Sequence, residues 1–335
     1  MKKVGSLIAT SALFAGALCV AGCGSSPTAG HGAPRVVIVP DHPQRTTALR
    51  AVQLASINVP AISWLSFYQG SVWVNAGDGF NTRIDAQTNK PTGRIGRFTP
   101  GGAGNYCQGL GAGGGAVWSC VKTGVTRIDP TRMRITATIP IGKAFDQGRL
   151  VFMGGRIWVI TGPTGNQLVG IDTTTNQPGP PITLPFGCDD LASGGTSLWV
   201  LCPRADHVVK VDVAHRSIQG TLALAQTYDG AATATDLWVG SSQGLVRVNA
   251  TTLKPEAIFQ NLDPGQTGDV AVDGDHVWVR TTDGFLHLID ARSNTVVEQI
   301  TGTPGLGGGA LLIAAGSVWT TADDAALLLR LRGAG

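Results

Sequence analysis

The chain has 335 residues, of which 43% are apolar and only 14% charged, with 47 glycines, 18 prolines and a net charge of +3. That length and composition suit one large all-β domain or two ordinary domains, rich in turns and poor in long helices. If Lys2 and Lys3 leave with a leader, 23 basic residues face 22 acidic ones, and no basic run interleaves with aromatics; a nucleic-acid partner is therefore not expected.

The first residues read as an export signal. Lys2 and Lys3 form a positive start, Val4 to Val20 is apolar and uncharged, and the small residues Ala21 and Gly22 precede Cys23. The tetrad Val20-Ala21-Gly22-Cys23 resembles the bacterial lipobox. That resemblance implies cleavage before Cys23, a diacylglycerol on its sulfur and an exported protein held at a membrane by several acyl chains. An ordinary signal peptide with Cys23 as a bystander is the competing reading. No second apolar stretch has the length of a membrane span. Residues 23–49 then read as a flexible tether. Gly24 to Gly30 is small and polar, and Val36 to Val39 is a brief apolar run between Pro34 and Pro40, read as tether resting on the domain, with an extended contact segment as the alternative.

From residue 50 onward the sequence repeats. A hydrophobic-Trp pair recurs, with tryptophans at 73, 118, 158, 199, 238, 278 and 319, spaced by 45, 40, 41, 39, 40 and 41. Each repeat has an apolar stretch, a tight turn, the Trp strand and a polar loop. A third strand ending in motifs such as Arg83-Ile84-Asp85 follows, then a polar turn and a fourth strand. Four strands (A to D) in each of seven repeats predict a seven-bladed β-propeller of antiparallel blades over residues 50–335. The seventh repeat stops after its third strand, and residues 50–57 precede the first repeat without one of their own. The expectation is that residues 50–57 complete the last blade and close the ring.

The Val-Trp-Val, Arg-Ile-Asp and Thr-Asn pattern resembles the YVTN-type, YncE-like bacterial propellers, and the streptogramin lyases are similar in fold. The resemblance implies the fold and leaves the activity open.

Four cysteines remain beyond Cys19 and Cys23. Cys107 and Cys188 each lie 11 residues before their Trp, whereas Cys120 and Cys202 follow theirs by two and three. These positions face each other across an A–B hairpin, so disulfides Cys107–Cys120 and Cys188–Cys202 are expected in an oxidising compartment. A metal site of all four sulfurs is the alternative, though blades 2 and 4 are not adjacent.

Propeller sites gather where A strands begin. Nine residues before each Trp stand Trp64, Gly109, Arg149, Asp190, Asp229, Asp269 and Ala310. Asp190, Asp229 and Asp269 form an acidic arc, with Arg149 and Trp64 beside it. The arc could serve a cation, an amine or a basic loop, and a divalent ion is the one cofactor it suggests. Alternatively each Asp accepts backbone N–H groups. The acids Asp85, Asp129, Asp172, Asp212 and Asp290 begin C–D turns and are read as turn residues. The six histidines scatter, and Glu256 and Glu298 fall on outer strands, so the His–Glu metal constellation of the lyases has no counterpart here. Gly109-Leu110-Gly111-Ala112-Gly113-Gly114 matches a dinucleotide pattern by letters but precedes no helix. The functional expectation is a binding or scaffolding module, lipid-anchored to the cell membrane and facing outward or the periplasm. Its rim would meet an envelope protein, a polymer or a small ligand. The alternative is a lyase- or hydrolase-like, metal-assisted enzyme at the channel mouth.

Overall fold

The structure is a computed structural model. It describes residues 35–334 apart from 61, 77–78, 97–107, 122, 143–148, 283–285 and 303–305. The lipidation site Cys23 and the cysteine at 107 lie outside the described residues.

Seven blades, each built on four antiparallel strands, follow one another along the chain, and two of their sheets carry a fifth, parallel strand. Blade 4 shows the pattern: A is Asp190–Gly194, B is Ser197–Cys202, C is His207–Asp212 and D is Ser217–Ala223. Each A strand packs beside the A strands of its neighbours, and that of blade 7 (Leu311–Ala314) lies beside that of blade 1 (Ile62–Tyr68). The ring is thus closed. Its closing strand is Gln53–Asn58, paired antiparallel with Leu327–Arg332. Residues 50–52, expected within that strand, instead finish a single helical turn, Leu49–Val52, which buries Leu49 and Val52 against blades 6 and 7.

The repeated tryptophans explain the ring. All seven are at most 2% exposed. Each packs against aliphatic residues of the following blade: Trp73 on Leu110, Val117 and Ile128, Trp118 on Ile157 and Ile171, and finally Trp319 on Val72, Val74 and Ile84 of blade 1. Truncating one such aromatic costs roughly 3–5 kcal/mol. Blade 3 has the shortest outer strand, Ile182–Thr183, because Pro178, Pro180 and Pro181 offer no N–H to the ladder.

A second set of contacts joins blades on the face opposite the A-strand starts. Arg83, Arg127, Lys210, Arg247 and Arg330 occupy one position on strand C. Each donates to a main-chain carbonyl in the next blade's C–D turn: Pro130, Thr173, Ala250, Ala291 and Ala86 respectively. Four of these cations also lie 5.0–5.6 Å from the centre of their own blade's Trp ring. In three turns the fifth residue is an Asn in the left-handed region, Asn89, Asn176 and Asn294, with φ of 60°, 60° and 52°. Asn tolerates that conformation, and its Oδ1 accepts a second bond from the incoming Arg330, Arg127 or Arg247. The turn acids behave as the sequence indicates. In each, the Oδ1 accepts N–H groups two and three residues on, as from Gln87 and Thr88 at Asp85. These bonds hold the carboxyls below the usual range.

The tether expected over residues 23–49 needs correction within its described part. Val37–Val39 pairs in parallel with Pro255–Phe259, the outer strand of blade 5, and Arg45–Ala48 with Thr295–Thr301, the outer strand of blade 6. Both outer strands present an open row of hydrogen-bonding groups, and the segment satisfies it. Glu298 fastens the second strand, accepting from Arg45 Nη2 and Thr47 Oγ1, both at 2.5 Å. Among the described residues no helix is long and apolar enough to cross a membrane.

Candidate functional site

The innermost strands of blades 4 and 6 begin at Asp190 and Asp269. That of blade 5, Gly230–Ala232, begins just after Asp229. Arg149 lies two residues ahead of Val151–Met153 in blade 3, and Trp64 is on the first strand of blade 1. The position nine residues before the Trp is therefore a ring of side chains at one end of the channel. Five of its seven members form a single cluster.

Arg149 is the centre. Its Nη2 lies 3.5 Å from Asp190 Oδ2 and 3.3 Å from Asp229 Oδ1, and bonds Asp269 Oδ1 more closely. Its Nη1 donates to the Gly230 carbonyl at 2.7 Å, and the guanidinium lies 4.8 Å from the centre of the Trp64 ring. Two of the three carboxylates also take backbone N–H groups, so the structural alternative holds in part; only Asp269 takes one from the next blade. Asp190 Oδ1 accepts from Arg149 N, while Asp269 accepts from Val270 N and Leu311 N. Both roles therefore hold at once: the acids tie blades together and surround a cation.

Burial dominates the electrostatics. All three carboxylates are no more than 7% exposed. Removal from water raises Asp190 and pushes Asp269 up to about 6, even with Arg149 beside them. Asp229 stands well above the carboxylate range through burial and the neighbouring Asp269. The three acids in turn hold Arg149 firmly charged against its own desolvation.

Above the cluster opens a cavity of about 540 Å³, lined by Trp64, Tyr228, Asp189, Asp190, Asp206 and Asp229 among others. The Cys188–Cys202 disulfide, 14 residues apart and as expected, pins the lip of blade 4. It positions Asp189, whose Oδ1 pairs with Arg204 from the B–C turn. Cys120 is also disulfide-bonded.

Among the described residues, the histidines stay away from this cluster. His207 stacks on Phe186 with ring centres 4.2 Å apart and its Nδ1 is 2.6 Å from the Ala205 carbonyl; His215 bonds Asp212 in a turn. His287 is buried in blade 6, its Nε2 3.8 Å from Asp41. Among the described residues, no three His, Cys, Asp or Glu side chains are grouped to hold a metal ion. Sequence reading missed the strand-C cations as blade fasteners, although Arg-Ile-Asp and the Thr-Asn turn carried the signal.

The fold and this mouth define a seven-bladed propeller with a charged channel hub. No protein-family model matches the chain, and no curated protein matches it. Among solved structures it is similar to the WD40 domain of Pan2 from Neurospora crassa, with a TM-score of 0.68 and 12% identity over 84% of this chain and 95% of that one. At that identity the likeness is one of fold.

Proposed function

We propose that this chain is a lipid-anchored, extracytoplasmic binding module whose channel mouth recognises an envelope protein, a cell-wall polymer or a small ligand. One observation carries the reading. An open cavity of about 540 Å³ sets the half-buried aromatics Trp64 and Tyr228 beside an excess of carboxylates. Aromatic surface next to uncompensated charge is the composition of a recognition site. The lipobox-like tetrad ending at Cys23 and the resemblance to YVTN-type propellers support the location. A metal-assisted enzyme would need a base free to move a proton. Arg149 instead fills the space between the three acids, and His207 is turned toward the main chain.

Two measurements test this. Mass spectrometry of the mature protein is expected to find a lipid-modified Cys23 as the first residue; a product that starts elsewhere overturns the anchor. A photo-crosslinking residue at Tyr228 is expected to give discrete adducts in intact cells. The same probe at Arg292, exposed in a turn on the opposite face, serves as control. Equal labelling at both positions, or none at Tyr228, refutes the channel mouth as the recognition surface.

A further inference from the structure

The hub holds three carboxyl groups and one guanidinium, and the imbalance falls on the cavity side. Asp269 faces away from the cavity: its side chain is 2% exposed and its oxygens are taken by Arg149 and two N–H groups. Asp190 and Asp229 line the cavity. Asp190 Oδ2 accepts no hydrogen bond although its side chain is only 5% exposed, and its nearest cation is Arg149 at 3.5 Å. Asp229 meets the same Nη2 at 3.3 Å, so the two N–H donors of one nitrogen are shared among three carboxylates. The other charged groups of this wall are engaged elsewhere. Asp189 pairs with Arg204, Asp206 Oδ1 accepts from Gln226 N, and Asp323, raised by burial, bonds the Thr321 side chain and faces Arg280. A buried acceptor without a donor is costly, and here it faces an open, acidic space.

We propose that the channel mouth binds a primary ammonium group, seated between Asp190 and Asp229, with the rest of the ligand lying along Trp64 and Tyr228. The assignment rests on the reading of the mouth as a recognition surface. An ammonium is a compact cation with three donors, which matches two carboxylates short of donors. A guanidinium is already supplied by Arg149 from the protein side. The binding step carries a proton balance. Burial, Asp269 and Asp190 favour the protonated form of Asp229 in the free protein, Arg149 opposing them. An arriving ammonium favours the charged form, so a proton held there leaves to solvent on binding.

The experiment is calorimetric titration of the mature chain with two probes, cadaverine and Nα-acetyl-lysine N-methylamide, at pH 6 and pH 8 in buffers of different ionisation enthalpy. n-Pentylguanidine, which has no amine, and 1-pentanol are the guanidinium and neutral comparisons. The expected result is saturable binding of an ammonium probe, at least about tenfold weaker for n-pentylguanidine and absent for pentanol, with release of up to one proton and tighter binding at pH 8. The Asp190→Asn/Asp229→Asn double variant should lose at least about tenfold, and Asp206→Asn, in the same cavity wall, less than about threefold. Should the double variant fail to fold, Asp229→Asn alone should bind the ammonium probe at least about threefold more weakly and release fewer protons than the parent. Preference for cadaverine points to a free amine and preference for the lysine derivative to a protein side chain, and both support the site. Absence of ammonium binding, equal binding of pentanol, or an unchanged double variant overturns it. If crosslinks at Tyr228 persist through such a failure, the ammonium assignment alone falls. If they too are absent, the recognition surface falls with it.

Discussion

The two ends of this ring use charge in opposite ways. On the turn face, each strand-C cation meets neutral carbonyls of the next blade, one or two bonds at a time, in an arrangement repeated five times around the ring. At the mouth, one position carries Trp, Gly, Arg, Asp, Asp, Asp and Ala in turn, and a single guanidinium serves three carboxyls. A position that keeps its residue type in five blades out of seven has a task repeated between neighbouring blades. A position that changes its residue type while keeping its geometry has been shaped for the ring as a whole.

Breaking the mouth should cost most. Arg149→Met leaves three buried carboxyl groups without their cation, and urea denaturation at pH 8 should show a loss of about 3–5 kcal/mol. The deficit should shrink toward pH 5. In the folded chain these groups bind protons more tightly than in the unfolded chain, so their protonation favours folding as pH falls. The unmodified protein should show the same sign more weakly. The contribution of Asp269 is fully present below about pH 4, its ordinary range, and is lost as pH rises through about 6. A stability profile that rises over that interval would remove the hub from the explanation.

Replacing Cys188 and Cys202 together with Ala should cost about 3 kcal/mol for a loop of this length, read by thermal unfolding against the oxidised parent. It should also weaken any ligand of the mouth, because Asp189 and Arg204 flank the bridge.

The turn face should yield in smaller steps. Arg330→Met, which removes two bonds between blade 7 and blade 1, should cost about 2–3 kcal/mol by equilibrium denaturation. Arg83→Met is the sharper comparison. Arg83 and Arg330 both bond a serine on their own strand B, Ser71 and Ser317, at 2.9 Å, but Arg83 reaches only one acceptor in the next turn. Its loss should be smaller by about 1 kcal/mol. Equal costs would show that the turn asparagines matter for backbone conformation alone.

The tryptophan register made the blades, the ring closure and the mouth positions legible, because each follows from counting along a repeat. Asp190, Asp229, Asp269, Arg149 and Trp64 do meet, but that Arg149 would reach across two blades to Asp269 depends on channel width, which no spacing encodes. The strands at Val37–Val39 and Arg45–Ala48 were not legible for a different reason. They are too short for their own alternation to show, and what stabilises them is an open edge supplied by residues more than 200 positions away. Glu298 was read as lying on an outer strand, which it does; it is nevertheless buried, at 4% exposure, because that added strand brings Arg45 and Thr47 to it.

The wrapped N-terminal segment also bears on the order of assembly. Val37–Val39, Arg45–Ala48 and Gln53–Asn58 are made before any blade exists, yet their partners are Pro255–Phe259, Thr295–Thr301 and Leu327–Arg332. The partners emerge in the same sequence as the strands that need them. Each attachment shortens the loop that the next must close, and a shorter loop has less entropy to lose. The segment can therefore fasten like a zip behind the growing chain, so that the strand closing the ring is already held close by when the final residues arrive.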